Sequence, residues 1–250
     1  MKVDAVILAG GEGEVLDPAC RFKGLAPLLD RPLVEWVLDA FHDATTINEI
    51  AVVMPTAEGL GDWVDKAAKL VVSDRSFMDN VLAGVASFRA DRPVLITTGD
   101  LPMLTGAAID EFVTASLEKG ADITYPLIPK SEMERQFPGS VRTYFRLKTG
   151  EYTGGNMMLM NPLLVPANRE LGQRLFDNRK NALATVRVAG LRFAVKFALG
   201  QLEAADIERR LEELLGGTGA AIVSDQASLA VDVDKPADLV LVERMLRERV

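Results

Sequence analysis

The 250-residue sequence predicts an α/β fold in which a mainly parallel sheet is flanked by helices. Its first half alternates short runs rich in Val and Ile with helical patterns, which is typical of βαβ units. The apolar content of 48% and the charged content of 26% are those of a globular protein that needs no disulfide or metal to fold. We find no internal repeat and expect one domain over residues 1–250.

The first half is predicted to contain five strands and four helices. The predicted strands are Val3–Leu8, Glu49–Met54, Leu70–Val72, Val94–Thr98 and Asp122–Leu127. The predicted helices are Pro32–His42, Leu60–Lys69, Phe77–Phe88 and Ala107–Lys119, in which apolar residues recur at helical spacing. Ligands of such sheets bind beyond the carboxyl ends of the strands, so residues that follow a strand are candidates for a functional site.

The second half departs from this alternation. Its predicted elements are a hairpin of Arg142–Leu147 and Tyr152–Met160, a helical lobe over about residues 161–216, a strand at Leu229–Val233 and a helix from Pro236 to the end. The lobe carries apolar residues throughout and is longer than a connection to the next strand requires. We therefore expect it to have a role of its own.

A glycine-rich segment, Leu8-Ala9-Gly10-Gly11-Glu12-Gly13, directly follows the first predicted strand. Glycines lack a Cβ, so the backbone N–H groups of such a loop can approach a bound phosphate. A plain tight turn would use the same residues. The segment matches neither the dinucleotide-binding fingerprint, because Leu16 stands where its third glycine belongs, nor the Walker A loop, because Lys23 precedes Gly24. The sequence predicts a phosphate-binding loop of another kind.

Carboxylates follow two of the predicted strands. Asp100 follows the fourth strand, and Asp234 follows the last one, with Asp232 as a spare ligand. Two carboxylates from two strand ends can hold one Mg²⁺, although a turn or helix-cap role would also explain them. Lys23 lies close enough to the glycine loop for its ammonium to reach the same phosphates, and Arg21 is an alternative.

Composition excludes several classes of function. The net charge of −8 argues against a nucleic-acid partner, which would need a basic face. A single cysteine, Cys20, cannot form an internal disulfide, and the N-terminus does not resemble a signal peptide, so we expect a cytoplasmic protein. No apolar run approaches the roughly 20 residues that a membrane-spanning helix needs.

The landmarks above occur in the order found in a known family. The chain resembles the MobA-like NTP transferases, which include molybdenum-cofactor guanylyltransferase and sugar-phosphate nucleotidyltransferases. The matching segments are Leu8–Gly13, Lys23 ahead of Ala26–Leu28 and Arg31–Leu38, Gly99–Pro102, and Asp232–Pro236 with Asp238 and Leu239. The resemblance implies a Rossmann-like fold of the nucleotide-diphosphosugar-transferase (GT-A) type. It also implies transfer of an NMP from an NTP to a small phosphorylated acceptor, with Mg²⁺ or Mn²⁺ as cofactor and pyrophosphate as product.

The resemblance assigns roles to individual residues. It implies nucleotide binding by Leu8, Ala9, Gly10, Gly11, Gly13, Lys23, Arg75 and Asn80, acceptor binding by Gly155 and Asn156, metal ligation by Asp100 and Asp234, and catalysis by Lys23 and Asp100. A β-bulge would also explain the glycines near residue 155. Residues 1–130 then form the nucleotide half, 131–228 the acceptor half and 229–250 the closing strand and helix.

Two questions stay open at this stage. The family usually has an arginine two residues after the third loop glycine, where this chain has Val15. A non-catalytic nucleotide-binding relative is therefore an alternative. A glycosyltransferase of the same fold is another, because Asp232-Val233-Asp234 is a D-x-D sequence. We expect the helical lobe to cover the acceptor side of the cleft, and a homo-oligomer interface is its alternative role.

Overall fold

A computed structural model describes residues 1–178, 195–196 and 201–249. The strands are β1 (Val3–Leu8), β2 (Pro27–Leu28), β3 (Arg31–Pro32), β4 (Ile47–Met54), β5 (Lys69–Val72), β6 (Val94–Thr98), β7 (Ile123–Pro129), β8 (Phe145–Leu147), β9 (Gly150–Gly154), β10 (Met157–Met160) and β11 (Gly219–Val223). The helices are α1 (Leu33–Asp43), α2 (Phe77–Val85), α3 (Gly106–Lys119), α4 (Lys130–Gln136), α5 (Leu164–Ala167), α6 (Arg169–Asp177), α7 (Ala204–Leu215) and α8 (Pro236–Arg249). Short 3₁₀ helices span Lys23–Leu25, Asp62–Lys66 and Ala227–Ala230.

In the described part of the chain, nine strands form one mixed sheet. β5, β4, β1 and β6 are parallel neighbours in that order. β10 runs antiparallel between β6 and β7, while β11 pairs in parallel with the other edge of β7. β9 is antiparallel to both β7 and β8. The predicted α/β class with a mainly parallel sheet is confirmed.

The sheet is covered on both faces because its central strand is apolar on both. In β1, Val3, Ala5 and Ile7 belong to the core that contains α1 and α3, whereas Val6 belongs to the core that contains α2. This alternation is what a period of two residues dictates. Phe112 of α3 is fully buried in the first of these cores. Within the described residues, no helix has the length and apolar character that a bilayer crossing requires.

Two predicted elements are wrong. The predicted helix Leu60–Lys69 is only the 3₁₀ turn Asp62–Lys66, because residue 69 already begins β5, which pairs with β4. The predicted strand Leu229–Val233 is a buried 3₁₀ turn followed by irregular chain. Its apolar residues fill the core beside the sheet without joining it, and the N–H of Val233 donates to the carbonyl of Asp100 (3.0 Å).

The predicted hairpin forms, but its second strand is split. β8 and β9 pair around a turn at residues 148–149, where the sequence predicts the turn at Thr149-Gly150, and β8 begins only at Phe145. The predicted strand Tyr152–Met160 is interrupted at residues 155–156, where its pairing register on β7 shifts by two residues between Gly154 and Leu159. The interruption is a bulge that bends the strand toward β6.

Part of the predicted helical lobe lies outside the described residues, including Leu191, Phe193 and Phe197. In its described part, α6 packs on α2. The rings of Phe77 and Phe176 stack at 3.7 Å between centroids, and the guanidinium of Arg169 donates to Asp79 (2.6 Å). Covering of the acceptor side by this lobe stays a prediction.

Candidate active site

The loops that follow β1 and β6 meet at one edge of the sheet. The two strands are parallel neighbours whose last residues, Leu8 and Thr98, pair with each other. The glycine-rich segment and Asp100 therefore leave the sheet side by side, and the N–H of Gly99 donates to the carbonyl of Leu8 (2.8 Å). The position agrees with the rule that ligands bind beyond the carboxyl ends of parallel strands.

The glycine loop folds back on itself so that Lys23 returns to its start. The N–H of Lys23 donates to the carbonyl of Gly11 (2.6 Å), and the N–H of Gly13 donates to the carbonyl of Arg21 (3.1 Å). A Cβ built on Gly24 would lie 2.6 Å from the carbonyl oxygen of Ala9, so only glycine allows this approach. The return of the chain places the Lys23 side chain against Gly11.

Three carboxylates converge beside this loop. One oxygen each of Asp100, Asp232 and Asp234 can be chosen so that all lie within 4.8 Å of one another. Asp100 is buried, Asp232 is partly buried and Asp234 is exposed. The Thr98 hydroxyl donates to Asp100 Oδ1 (2.5 Å), which fixes the carboxylate that follows β6.

Two cationic side chains neutralise these acids. The ammonium of Lys23 donates to Asp100 Oδ2 and to Asp234 Oδ1. The guanidinium of Arg142 donates to Asp232 Oδ1 from a chain segment that precedes β8. The side chains of Arg142 and Asp232 are only 15% and 16% exposed, although the flanking Val141 is 81% exposed.

Burial and charge move the pKa values of the central pair. Burial lowers the pKa of the Lys23 ammonium, but the carboxylates of Asp100 and Asp234 outweigh this effect, so the pKa lies above its usual value. The pKa of Asp100 is raised because burial disfavours its charged form; Lys23 opposes that rise and the charge of Asp232 adds to it. Lys23 is therefore a firmly protonated group within an acidic cluster.

The acidic cluster fits a hard divalent cation. Such ions take oxygen ligands, and Mg²⁺ is usually held by one or two carboxylates together with phosphate oxygens and water. Asp100 and Asp234, which the sequence singled out, lie together here. Asp232 lies with them, although it is paired with Arg142.

The segment after β5 reaches the same edge of the sheet. The N–H of Ser73 donates to the carbonyl of Met54 (2.9 Å) at the end of β4. Asn80 braces the segment: its Oδ1 accepts from the Ser73 hydroxyl (2.7 Å) and from the N–H of Arg75 (3.2 Å). Its Nδ2 donates to the carbonyl of Arg75 (3.2 Å), so the amide orders the loop that carries Arg75.

The bulge between β9 and β10 lies beside β6. The Thr97 hydroxyl donates to the carbonyl of Asn156 (2.9 Å), and the N–H of Asn156 donates to the carbonyl of Leu229 (2.8 Å). The Tyr125 hydroxyl donates to the carbonyl of Gly155 (2.5 Å). Burial, with a smaller contribution from the charge of Asp232, raises the pKa of Tyr125 to about 12. The bulge is thus fixed through its backbone, next to the strand that carries Asp100.

Comparison with known proteins shows the family of this chain. A family model for the MobA-like NTP transferase domain matches residues 5–228. The chain belongs to the MobA-like NTP transferase family. This confirms the predicted family and the predicted enzyme class, a nucleotidyltransferase.

Individual relatives resemble this NTP transferase over different lengths. The bifunctional protein GlmU of Thermodesulfovibrio yellowstonii is 26% identical over 124 residues, which are 48% of this chain and 27% of GlmU. GlmU of Rhodospirillum rubrum is 31% identical over 118 residues, which are 46% of this chain and 26% of GlmU. The matches therefore span about a quarter of these curated relatives.

Solved structures resemble the whole chain. A hypothetical transferase from Thermus thermophilus is 34% identical, with a TM-score of 0.82 and coverage of 96% of this chain and 100% of its own. A CMP:2-keto-3-deoxy-manno-octonic acid synthetase complexed with CTP is 14% identical, with a TM-score of 0.64 and full coverage of both chains. The second likeness shows the fold alone.

Sequence reasoning missed one ion pair of this site, that of Arg142 with Asp232. Alternation along the predicted hairpin places Arg142, Arg146 and Lys148 on one face, but in the structure Arg142 binds Asp232 and Lys148 binds Glu203. No local pattern indicates the first pair, because its partners are 90 residues apart. Only the three-dimensional structure shows that the Arg142 side chain is largely buried although the neighbouring Val141 is exposed.

The loop position that usually carries an arginine in this family is exposed here. Val15 is 61% exposed, and Arg21 lies on the same folded-back loop with its guanidinium 5.0 Å from the centre of the Phe22 ring. Arg21 lies in the part of the loop that folds back, two residues before Lys23, where its carbonyl accepts from the N–H of Gly13. Substitution of the missing arginine by Arg21 stays a prediction.

Proposed function

We propose that this protein transfers an NMP from an NTP to a small phosphorylated acceptor, with Mg²⁺ as the cofactor and pyrophosphate as the second product. The observation that carries the proposal is the meeting of the glycine loop, Lys23 and the carboxylates of Asp100 and Asp234 at one sheet edge. Fold membership alone would not support a specific reaction.

The glycine loop supplies donors for the phosphates of the nucleotide. Within the described residues, the N–H groups of Gly10 and Gly11 make no hydrogen bond, whereas those of Ala9 and Gly13 are used by the backbone. Unpaired N–H groups in a glycine loop suit phosphate oxygens. The aliphatic part of the Lys23 side chain lies against Gly11, and its ammonium, which is bound to Asp100 and Asp234, adds a positive charge beside the loop.

The reaction needs negative charge to be offset around the α-phosphate. An oxygen of the acceptor phosphate forms a bond to the α-phosphorus, the bond from that phosphorus to the bridging oxygen breaks, and pyrophosphate leaves with the electron pair. A divalent cation held by Asp100 and Asp234 offsets charge on the phosphate oxygens when bound. Lys23 donates hydrogen bonds to those oxygens as charge builds on them.

The acceptor is proposed to bind at the bulge formed by Gly155 and Asn156. The backbone of the bulge is fixed by Tyr125 and Thr97, while the side chain of Asn156 is partly exposed. A Cβ built on Gly155 would lie 2.7 Å from Pro126 Cγ, so the backbone stays close to the sheet. A turn whose backbone is fixed next to β6, the strand that precedes Asp100, suits an acceptor that must approach the α-phosphate.

The test is a matrix of NTPs and acceptors. Each of the common NTPs is incubated with the protein, Mg²⁺ and a panel of phosphorylated sugars, alcohols and cofactor precursors. Pyrophosphate release is measured, and the NMP-linked product is detected by mass spectrometry. We expect one pairing to release pyrophosphate only when both substrates are present. Turnover of a nucleotide sugar with release of a nucleoside diphosphate, or nucleotide binding without any turnover, would contradict the proposal.

A further inference from the structure

The oxygens that would bind a divalent cation are already bound by side chains. Lys23 Nζ lies between Asp100 Oδ2 and Asp234 Oδ1, and Arg142 takes Asp232 Oδ1. Each carboxylate of the cluster thus has a cationic partner. A divalent cation that used Asp100 Oδ2 and Asp234 Oδ1 would occupy the position that the Lys23 ammonium now fills.

Lys23 and a divalent cation exclude each other for two reasons. Both bind the carboxylates of Asp100 and Asp234, and their like charges repel at the short distances that joint binding would impose. Burial strengthens the conflict, because the Lys23 side chain is 15% exposed and that of Asp100 is 12% exposed. A buried ammonium that leaves one anionic partner needs another. Phosphate oxygens at the adjoining glycine loop would provide it.

We infer that Lys23 is an internal counter-ion of Asp100 and Asp234 that couples nucleotide binding to cation binding. Before the nucleotide binds, Lys23 holds both carboxylates and lowers their affinity for a divalent cation. When phosphates reach the glycine loop, the ammonium moves to them and the carboxylates become available. The inference rests on the proposed function for the identity of the anionic ligand, because an NTP is what draws Lys23 away.

Arg142 has a separate part in this device. It keeps Asp232 neutralised while Lys23 moves, so the cluster does not gather three unpaired carboxylates at once. Coupling between two ligands is reciprocal, so each must tighten the binding of the other by the same factor. Couplings of this kind are typically about 5- to 150-fold.

The test measures Mn²⁺ binding to the full-length protein alone, by electron paramagnetic resonance of the free ion. We expect Lys23→Gln to bind Mn²⁺ roughly 10-fold or more tightly than the wild type, because the competing charge is gone. Lys23→Arg, which keeps the charge, should show no such gain. The double variant Lys23→Gln with Asp100→Asn should lose it, which would place the ion at the carboxylates.

The matched control is Lys69→Gln. Lys69 also forms an ion pair, with Glu49 (2.7 Å), but lies at the start of β5, away from the cluster. Its substitution should leave Mn²⁺ affinity unchanged. If Lys23→Gln fails to fold, as judged by circular dichroism, Lys23→Met is used with the same readout, since its unbranched side chain packs like the aliphatic part of lysine.

The outcomes separate this inference from the proposed function. Unchanged or weaker Mn²⁺ binding by the folded Lys23→Gln variant would overturn the counter-ion role, even if the wild type turns over an NTP. Tighter Mn²⁺ binding would support that role. If the wild type released no pyrophosphate from any NTP, the proposed reaction would fail independently of the counter-ion role.

Discussion

The two sides of the candidate cleft are held together by different interactions. On the glycine-loop side, backbone meets backbone: a Cβ on Gly24 would lie 2.6 Å from the Ala9 carbonyl oxygen. On the carboxylate side, ion pairs join Lys23 to Asp100 and Asp234. Close backbone packing has one arrangement, whereas charged groups can exchange partners when a ligand arrives. The comparison indicates a rigid cradle for phosphates opposite a set of charges that rearranges.

The largest effect is expected on the carboxylate side. Asp100→Asn should reduce NTP turnover by a factor of 10³ or more, on the order of the loss of a charge-stabilising group together with a metal ligand. The asparagine keeps the size of the side chain and an acceptor for the Thr98 hydroxyl, so the protein should remain folded. The measurement is steady-state pyrophosphate release, with thermal unfolding as a check.

The matched control for this carboxylate is Glu49→Gln. Glu49 forms an ion pair with Lys69 at the opposite edge of the sheet, away from the cluster. The Glu49→Gln variant should turn over the NTP at the wild-type rate. Full activity in a folded Asp100→Asn protein would remove Asp100 from the mechanism.

The second largest effect is expected at Lys23, whose side chain contacts the glycine loop and pairs with the carboxylates of Asp100 and Asp234. Lys23→Ala should weaken NTP turnover roughly 10²- to 10³-fold, which is the scale for losing one strong charge-stabilising donor. Lys23→Arg should restore only part of it, because a guanidinium and an ammonium differ in geometry. Initial rates at varied NTP concentration measure both. If both variants keep wild-type kinetics, Arg21 or another cation holds the phosphates.

On the glycine-loop side, a substitution should lower the stability of the fold. Gly24→Ala places a Cβ against Ala9 and should lower the free energy of unfolding by about 1–3 kcal/mol, as overpacking does elsewhere. Gly11→Ala is the control on the same loop, because its Cβ would lie 3.6 Å from Lys23 Cβ, an ordinary contact. Urea unfolding compares the two. Equal unfolding midpoints for the two variants would show that the loop adapts to the added Cβ and is not rigid.

Sequence reasoning succeeded where the signal was local. β1 and β6 have the predicted bounds because each is a short, mainly apolar run that is buried on both faces. It failed over residues 60–69, where Leu60, Trp63 and Val64 have helical spacing. Trp63 is buried in the core, but the chain is already extended at Lys69, where β5 begins. Tertiary pairing overrides spacing in so short a segment.

The same limit applies to the candidate site. Lys23, Asp100 and Asp234 could be singled out because each follows a glycine loop or an apolar run near a sheet edge. Their mutual contacts could not, since a sequence does not say that Lys23 bridges two acids. The Arg142–Asp232 pair was also inaccessible, because residues 141–144 form no regular element whose periodicity could be detected.

The smallest effect is expected at the turn between β2 and β3, which sequence analysis did not predict. β2 and β3 are joined by Leu29 and Asp30, whose φ angles of 50° and 62° both lie in the left-handed region. Two-residue hairpin turns with this geometry favour Asn-Gly, because a Cβ is strained there. Asp30→Gly should therefore stabilise the protein by roughly 0.5 kcal/mol, the relief of strain being partly offset by the extra freedom of glycine in the unfolded chain. Asp30→Ala is the control, since it removes the same charge but keeps the Cβ, and it should be less stable than Asp30→Gly in urea unfolding. The opposite order would mean that the Asp30 side chain, and not the backbone, holds this turn, and the contrast between a backbone-fixed side and a charge-fixed side would no longer include the hairpin.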